Sequence, residues 1–361
     1  MIARLLLAAC LAMAQPGLAQ DQTTLRVATY NVDLDRKGPG LLLRDILAGK
    51  DPQISAVIAS LALLNADVLV LTDIDFDHDL VALSALADGL AAAGAPYPHR
   101  FAKRPNAGMA TGLDMDGDGR RGGPGDAQGF GFFAGQGGLA VLSRLPIDAE
   151  NARDFSGFLW QDLPGNLIAD SLSTEAKAVQ RLSSTAHWDV PLVLPDDTRL
   201  HLLVWHATPP VFDGPEDRNG RRNHDEAAFW LRLLEGSLPF PAPDAPFILL
   251  GDANLDSADG DGRHAAIIAL LAHPQLQDPA PKGQNSRTEP AHKGDPALDT
   301  ALYDDPGGLR VDYILPSADL KVLDAGVLWP DTDTAKGITL AIASRHRPVW
   351  VDITIPQSTA P

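Results

Sequence analysis

The segment VLVLTDIDFDHD, residues 68–79, begins as an apolar run and then sets aspartates at 73, 75, 77 and 79. Alternate side chains of a strand share a face, so a strand that persisted would hold these carboxylates side by side. That arrangement is repulsive unless something positive stands opposite it. Other apolar runs also stop at groups able to hold a cation or move a proton. VATYNVD stops at Asn31, LLVWHATPP at His206, and FILLGDANLD at Asp252 and Asn254. LRVDYILP carries Asp312, and ASRHRPVWVD places His346 just ahead of its run. Alone, Asn31 or Asp252 reads as a turn residue, and His346 as a histidine satisfied inside the fold. Together they are polar groups at strand ends, and α/β proteins build sites where strand ends meet. Carboxylates and carboxamides suit hard divalent cations, and imidazole exchanges protons near neutral pH.

These residues need strands that end at one edge. Strand-like runs recur at 25–32, 67–72, 138–143, 188–194, 199–207, 247–253, 310–316 and 348–355. Helical spacing is clearest at 55–65, 80–94 and 224–236. Strands and helices mixed in this way predict a layered α/β domain. No Pro/Gly linker separates two hydrophobic blocks, so the reading is one domain over 20–361. Two segments are expected as long loops, the glycine-rich 103–138 and the polar, proline-rich 279–308. Loops of that length in a compact domain tend to be functional.

The order TYNV, an acidic strand end, H-x-TPP, GDxN, RVDYIL and SRHRPV resembles the endonuclease/exonuclease/phosphatase superfamily from about Leu25 to Ile355. The resemblance implies an α/β (α+β) fold: a deoxyribonuclease-like four-layer sandwich of two mainly antiparallel β-sheets flanked by helices. It also implies a divalent cation, Mg²⁺ or Mn²⁺, and phosphoester hydrolysis. By the same resemblance Asn31 and Asp73 are metal residues. Asp252 and Asn254 position the attacking water and the phosphate. His206 contacts phosphate or assists the leaving group, and Asp312 orients the catalytic His346. Such chemistry is physically coherent, because a hard cation stabilises charge on phosphate oxygens while a carboxylate and an imidazole exchange protons.

The sequence departs from that pattern twice. Asp73 stands where the family has glutamate, and Arg345 stands where it has the aspartate before the last histidine. Arginine cannot ligate a metal but can grip phosphate with a fork of donors. Arg345 is therefore read as a phosphate ligand, against the alternative that it weakens catalysis and leaves a binding protein. Arg222, in the basic run RNGRRNHDE, is read as a second phosphate residue, set against a charged helix start. DMDGDG, with Asp114, Asp116 and Asp118, fits the start of a calcium loop, although its twelfth position is Gly125 and no helices flank it. The competing reading there is a solvated glycine loop.

The chain of 361 residues is 45% hydrophobic with a net charge of −18. Hydrophobic content at this level excludes a mostly disordered chain. The acidic balance disfavours non-specific nucleic-acid binding, so a small phosphorylated substrate is favoured over an extracellular nuclease role. The start MIARLLLAACLAMAQPGLAQDQ reads as a signal peptide over 1–19, predicting a secreted or periplasmic protein. Its apolar run is too short for a membrane span. Cys10 is the only cysteine, so the mature chain is expected to have neither disulfides nor thiolate metal sites. The chain is taken as a monomer.

Overall fold

The computed structural model describes residues 24–355, apart from 245 and 288. The leader read over 1–19 lies outside the described residues. The strands are β1 (Thr24–Leu34), β2 (Val68–Ile74), β3 (His99–Phe101), β4 (Gly138–Ser143), β5 (Arg153–Asp154), β6 (Ala186–Val193), β7 (Arg199–His206), β8 (Phe247–Asp252), β9 (Ala301–Leu302), β10 (Gly308–Leu309), β11 (Asp312–Pro316), β12 (Lys321–Val327) and β13 (Val349–Thr354). The helices are α1 (Leu41–Ala48), α2 (Pro52–Leu64), α3 (Val81–Ala92), α4 (Thr174–Val179), α5 (Arg218–Leu234), α6 (Ala265–Leu271) and α7 (Ala335–Ala343). Among these no single helix is long and apolar enough to cross a membrane.

One sheet runs in the order β12-β13-β1-β2-β4-β3, the other β11-β8-β7-β6-β5. Each is antiparallel except for a single parallel pair, β1 with β2 and β7 with β8. Period-two alternation explains the layering. Val27, Val68 and Val70 point inward, where they meet Trp188, Val204 and Ile314 of the second sheet. The intervening Ala28, Tyr30, Leu69 and Leu71 face outward and are covered by α2 and α3 through Val57, Leu61, Leu86 and Leu90. On the far side Leu203, Trp205 and Leu249 are covered by α5 and α6 through Phe229, Trp230, Leu233 and Ile267. Helix, sheet, sheet and helix thus stack as the four layers expected from the sequence.

The glycine-rich segment is tied to the second sheet by Asn106. This fully buried side chain donates to Ser156 O at 2.7 Å and Ser183 O at 2.8 Å, and accepts from Arg181 at 2.8 Å. His187 is a core residue. It packs against Trp205, Phe229 and Trp230. Burial pushes its imidazole down to about 4, so the folded state holds the ring neutral while the unfolded chain charges it near 6.5. Its contribution is therefore complete above about 6.5 and is lost as pH falls towards 4, to a limit of about 3 kcal/mol. His187→Gln is expected to flatten the pH dependence of urea unfolding across that window. Equal slopes for parent and variant would show that His187 does not titrate there.

Candidate active site

The strand ends converge from both sheets. On the second sheet, His206, Asp252 and Asp312 stand level across β7, β8 and β11, because Asp252 is the register partner of both neighbours. Neighbours in register share a face, so the three functional groups project from one edge. Asp252 and Asp312 are fully buried. The first sheet delivers Asn31 from the end of β1 and His346 from the turn into β13. Two side-chain hydrogen bonds then cross between the sheets. Asn31 Nδ2 donates to Asp252 Oδ2 at 2.9 Å, and His346 Nδ1 meets Asp312 Oδ2 at 2.8 Å.

Asp73 reaches this cleft by a bulge. Register shifts on both sides of it, and its φ is 57°. The carboxylate lies over Gly137, whose φ is 55° and where a Cβ would stand 2.7 Å from Asp73 Oδ1, so a larger residue would strain the backbone and displace the carboxylate. The bulge also removes the repulsion set up by the sequence, because the four aspartates do not share a strand face. Asp75 turns inward to accept the amides of Arg36 at 3.0 Å and Gly137 at 3.1 Å. Asp77 caps α3 by accepting the amides of Val81 and Ala82 at 2.6 and 2.7 Å. Asp79 is exposed beside His78.

The charges in the cleft are unbalanced. Desolvation, then Asp35 and Asp33, push Asp73 well above the usual carboxylate range. Desolvation and the neighbouring Asp312 carry Asp252 up to about 7. Burial alone would lower His346, but Asp312, Asp252 and Asp33 outweigh it and lift the imidazole to about 9. His206 goes the other way, down to about 3, from burial and then the nearby His346. Its neutral Nε2 can accept from Asn254 Nδ2 at 3.3 Å. Asn254 is fixed in turn by its amide bond to Asp252 Oδ1 at 2.7 Å and by Ala207 O at 2.9 Å.

A divalent cation fits this donor set. Among the described residues nothing donates a hydrogen bond to the Asp73 carboxylate, and Asp312 Oδ1 is buried without a partner. Ligand atoms of Asp252, Asp312 and His346 lie within 4.8 Å of one another. Asp73 and Asn31 would supply oxygen to a hard ion, while His346 is committed through Nδ1 to Asp312.

Arg345 lies on the rim, with 57% of its side chain exposed and its Nε 3.6 Å from Asp33 Oδ2. With Asp33, Tyr303 and Asp304 it lines an open depression of about 310 Å³. Arg222 requires correction. It is buried beneath the loops, donating to the carbonyls of Leu182 at 2.8 Å, Gln128 at 2.6 Å, Arg181 at 2.8 Å and Ser183 at 3.0 Å. A guanidinium spent on the interior is not available to substrate phosphate. Asp114, Asp116 and Asp118 do gather, with ligand atoms within 4.8 Å, and could hold a cation. Their carboxylates already accept loop amides, as when Asp114 takes those of Gly117 and Gly119.

Three residues of the site escaped the sequence reading. Asp33 accepts from Ser344 Oγ at 3.0 Å and from the Arg345 amide at 3.1 Å. Thr300 Oγ1 donates to Asp312 Oδ2 at 2.8 Å. Tyr303 OH lies 3.4 Å from His346 Nε2. Asp33 carried a usable signal, since it follows Asn31 by two residues in the same run. Thr300 and Tyr303 carried none, because the bridge from Ala301 to His346 that seats them is long-range.

Comparison with known proteins agrees with this fold. No curated protein matches the chain. Among solved structures, an endonuclease/exonuclease/phosphatase from Beutenbergia cavernae DSM 12333 is 18% identical, covers 93% of this chain and 73% of its own, and superposes with a TM-score of 0.54. Sphingomyelinase C from Streptomyces griseocarneus is 19% identical over 91% of this chain and 99% of its own, TM-score 0.50. A mannosyl-6-phosphatase from Bacteroides thetaiotaomicron VPI-5482 is 15% identical over 92% of this chain and 100% of its own, TM-score 0.50. At such identities these likenesses speak for the fold. The model described as "Endonuclease/Exonuclease/phosphatase family" matches residues 28–351, which hold every strand-end residue of the cleft, and the chain belongs to that family.

Proposed function

We propose that the protein is an exported phosphoesterase that hydrolyses small phosphate esters with a bound Mg²⁺ or Mn²⁺. The observation that carries this reading is the buried Asp312–His346 pair set beside Asp252, with an unpartnered Asp73 carboxylate across the cleft. Asp252 receives the proton of the attacking water, and Asn31 and Asn254 hold its two oxygens in place. His346, charged and held through Nδ1 by Asp312, donates its Nε2 proton to the leaving oxygen. Without the cation the base is pushed to about 7 and the acid to about 9, so the two groups hold opposite protonation states at mildly alkaline pH. The cation, when bound, stabilises charge gathering on the non-bridging oxygens.

A small ester is favoured over nucleic acid by the net charge of −18. The similar structures include proteins named as a sphingomyelinase C and a mannosyl-6-phosphatase. The test is hydrolysis of p-nitrophenyl phosphate and bis-p-nitrophenyl phosphate with Mg²⁺, with Mn²⁺ and with chelator. Metal-dependent release of nitrophenol supports the reading. Release from neither ester, or release unaffected by chelation, overturns it, and faster cleavage of single-stranded DNA would favour the nuclease alternative.

The position of Arg345 bears on a weaker second reading, a binding protein with impaired catalysis. If its guanidinium swings from Asp33 to phosphate, Arg345→Ala loses a charge-assisted hydrogen bond worth roughly 1.5 kcal/mol, or about tenfold in turnover. Inhibition by inorganic phosphate should weaken in parallel. A variant matching the parent in both measurements makes Arg345 a bystander.

A further inference from the structure

The proton that the proposed reaction takes from His346 must leave by Nε2, because Nδ1 is held by Asp312. His346 is 3% exposed, and it does not line the depression of about 310 Å³ at the rim. Tyr303 touches both. Its side chain lines the depression, and its hydroxyl is 3.4 Å from His346 Nε2. Among the described residues this hydroxyl is the only hydrogen-bond partner of that nitrogen, and the nitrogen is the only partner of the hydroxyl.

The plain explanation is a packing role, since the phenol ring stands edge-on to the imidazole with centroids 6.1 Å apart. A phenylalanine would pack equally well, so packing does not account for the oxygen. That oxygen can accept from Nε2 and still has a proton to give. Tyrosine ordinarily titrates near pH 10, and burial first of all holds Tyr303 above its usual value, so the proton is in place at neutral pH. The backbone fixes the ring. Ala301 bridges His346, the Leu302 amide donates to Arg345 O at 3.0 Å, and the Tyr303 amide donates to Gly307 O at 2.9 Å. A distance of 3.4 Å is long for a resting bond, and catalytic hydrogen bonds of this kind tighten when substrate enters.

We propose that Tyr303 is a catalytic residue that relays the proton from His346 to the leaving oxygen. The relay rests on the phosphoesterase reading and refines its last step, with His346 still the source of the proton. The leaving alcohol sits in the depression against the tyrosine hydroxyl. As the phosphorus–oxygen bond breaks, its electron pair takes the tyrosine proton, and the tyrosine oxygen takes the proton from Nε2. Tyrosine and imidazole both end neutral, and the alcohol departs with its hydrogen. The two transfers are coupled, because a stepwise path would leave a tyrosinate near the carboxylates of Asp252 and Asp312.

The test compares the full-length parent and Tyr303→Phe on bis-p-nitrophenyl phosphate, read by nitrophenol, and on diethyl phosphate, read by ethanol. Nitrophenolate leaves without a proton and ethoxide does not. The ratio of diethyl to bis-p-nitrophenyl turnover should therefore fall about a hundredfold in Tyr303→Phe. In a His346→Gln background the same change should cost less than about threefold more, as expected of groups on one path. An unchanged ratio, an equal loss on both esters, or losses that multiply in the double variant overturn the relay. So does a parent that cleaves the nitrophenyl ester and not diethyl phosphate, since no alkoxide is then being served. A Tyr303→Phe protein that fails to fold makes the hydroxyl structural and overturns the relay as well. A parent inactive on both esters is a different failure, that of the phosphoesterase reading itself, and the relay falls with it.

Discussion

Asp252→Asn is expected to lower metal-dependent phosphodiester turnover by about a thousandfold while the protein still unfolds cooperatively. Asparagine keeps the size of the side chain but cannot take a proton from water. It also disturbs the cross-sheet contact, since its amide must choose between the Asn254 amide and the Asn31 carboxamide, both of which are donors. Loss of activity through unfolding is separable. The folded-state pKa of Asp252 lies above its unfolded value, so the carboxylate costs stability as pH rises from about 4 to about 7, and that cost persists above it. Removing the charge should therefore raise the melting temperature of chelated protein at pH 8. A folded variant with near-parent turnover would end the role assigned to Asp252. A variant that melts lower than the parent in chelator would contradict the charge imbalance.

His346→Gln should cost a comparable factor, about a hundred- to ten-thousandfold, but only where the leaving oxygen needs a proton. Nitrophenolate departs readily without one, whereas an alkoxide does not. The loss should accordingly be small with bis-p-nitrophenyl phosphate and large with an alkyl phosphodiester. Asp312→Asn should reproduce the pattern at reduced amplitude, because His346 remains but loses the carboxylate at Nδ1 that keeps it charged and turned. Combining the two changes should add little to His346→Gln alone, as expected of groups acting as a unit. An equal loss for both esters would assign His346 to binding phosphate rather than to protonating the leaving group.

The second-sheet part of the site was legible because Asp252 and Asp312 end or begin apolar runs, and runs of that kind become buried strands. Asn31 and His346 were legible for the same reason on the first sheet. Asp73 was named, but the bulge that aims it was not, since an extra backbone residue leaves no mark in hydropathy. Arg222 misled because α5 buries its polar start. Arg222, Asn223, Asp225 and Glu226 all lie inside, and Glu226 accepts from Ser184 and Thr208. A charged run that serves as internal scaffolding looks the same, letter by letter, as one facing water. Thr300 and Tyr303 were hidden in a segment recognisable only as long.

The two polar bonds that cross between the sheets, Asn31 to Asp252 and His346 to Asp312, make the cleft a clasp as well as a workplace. An ångström of relative slippage between the layers would open both together, long before either hydrophobic face was wetted. Heat should therefore silence the enzyme while its helices and strands are still intact, and the gap between the two temperatures should narrow when substrate spans the clasp. The expected first failure under stress is the alignment of the layers, which turnover would register before circular dichroism does.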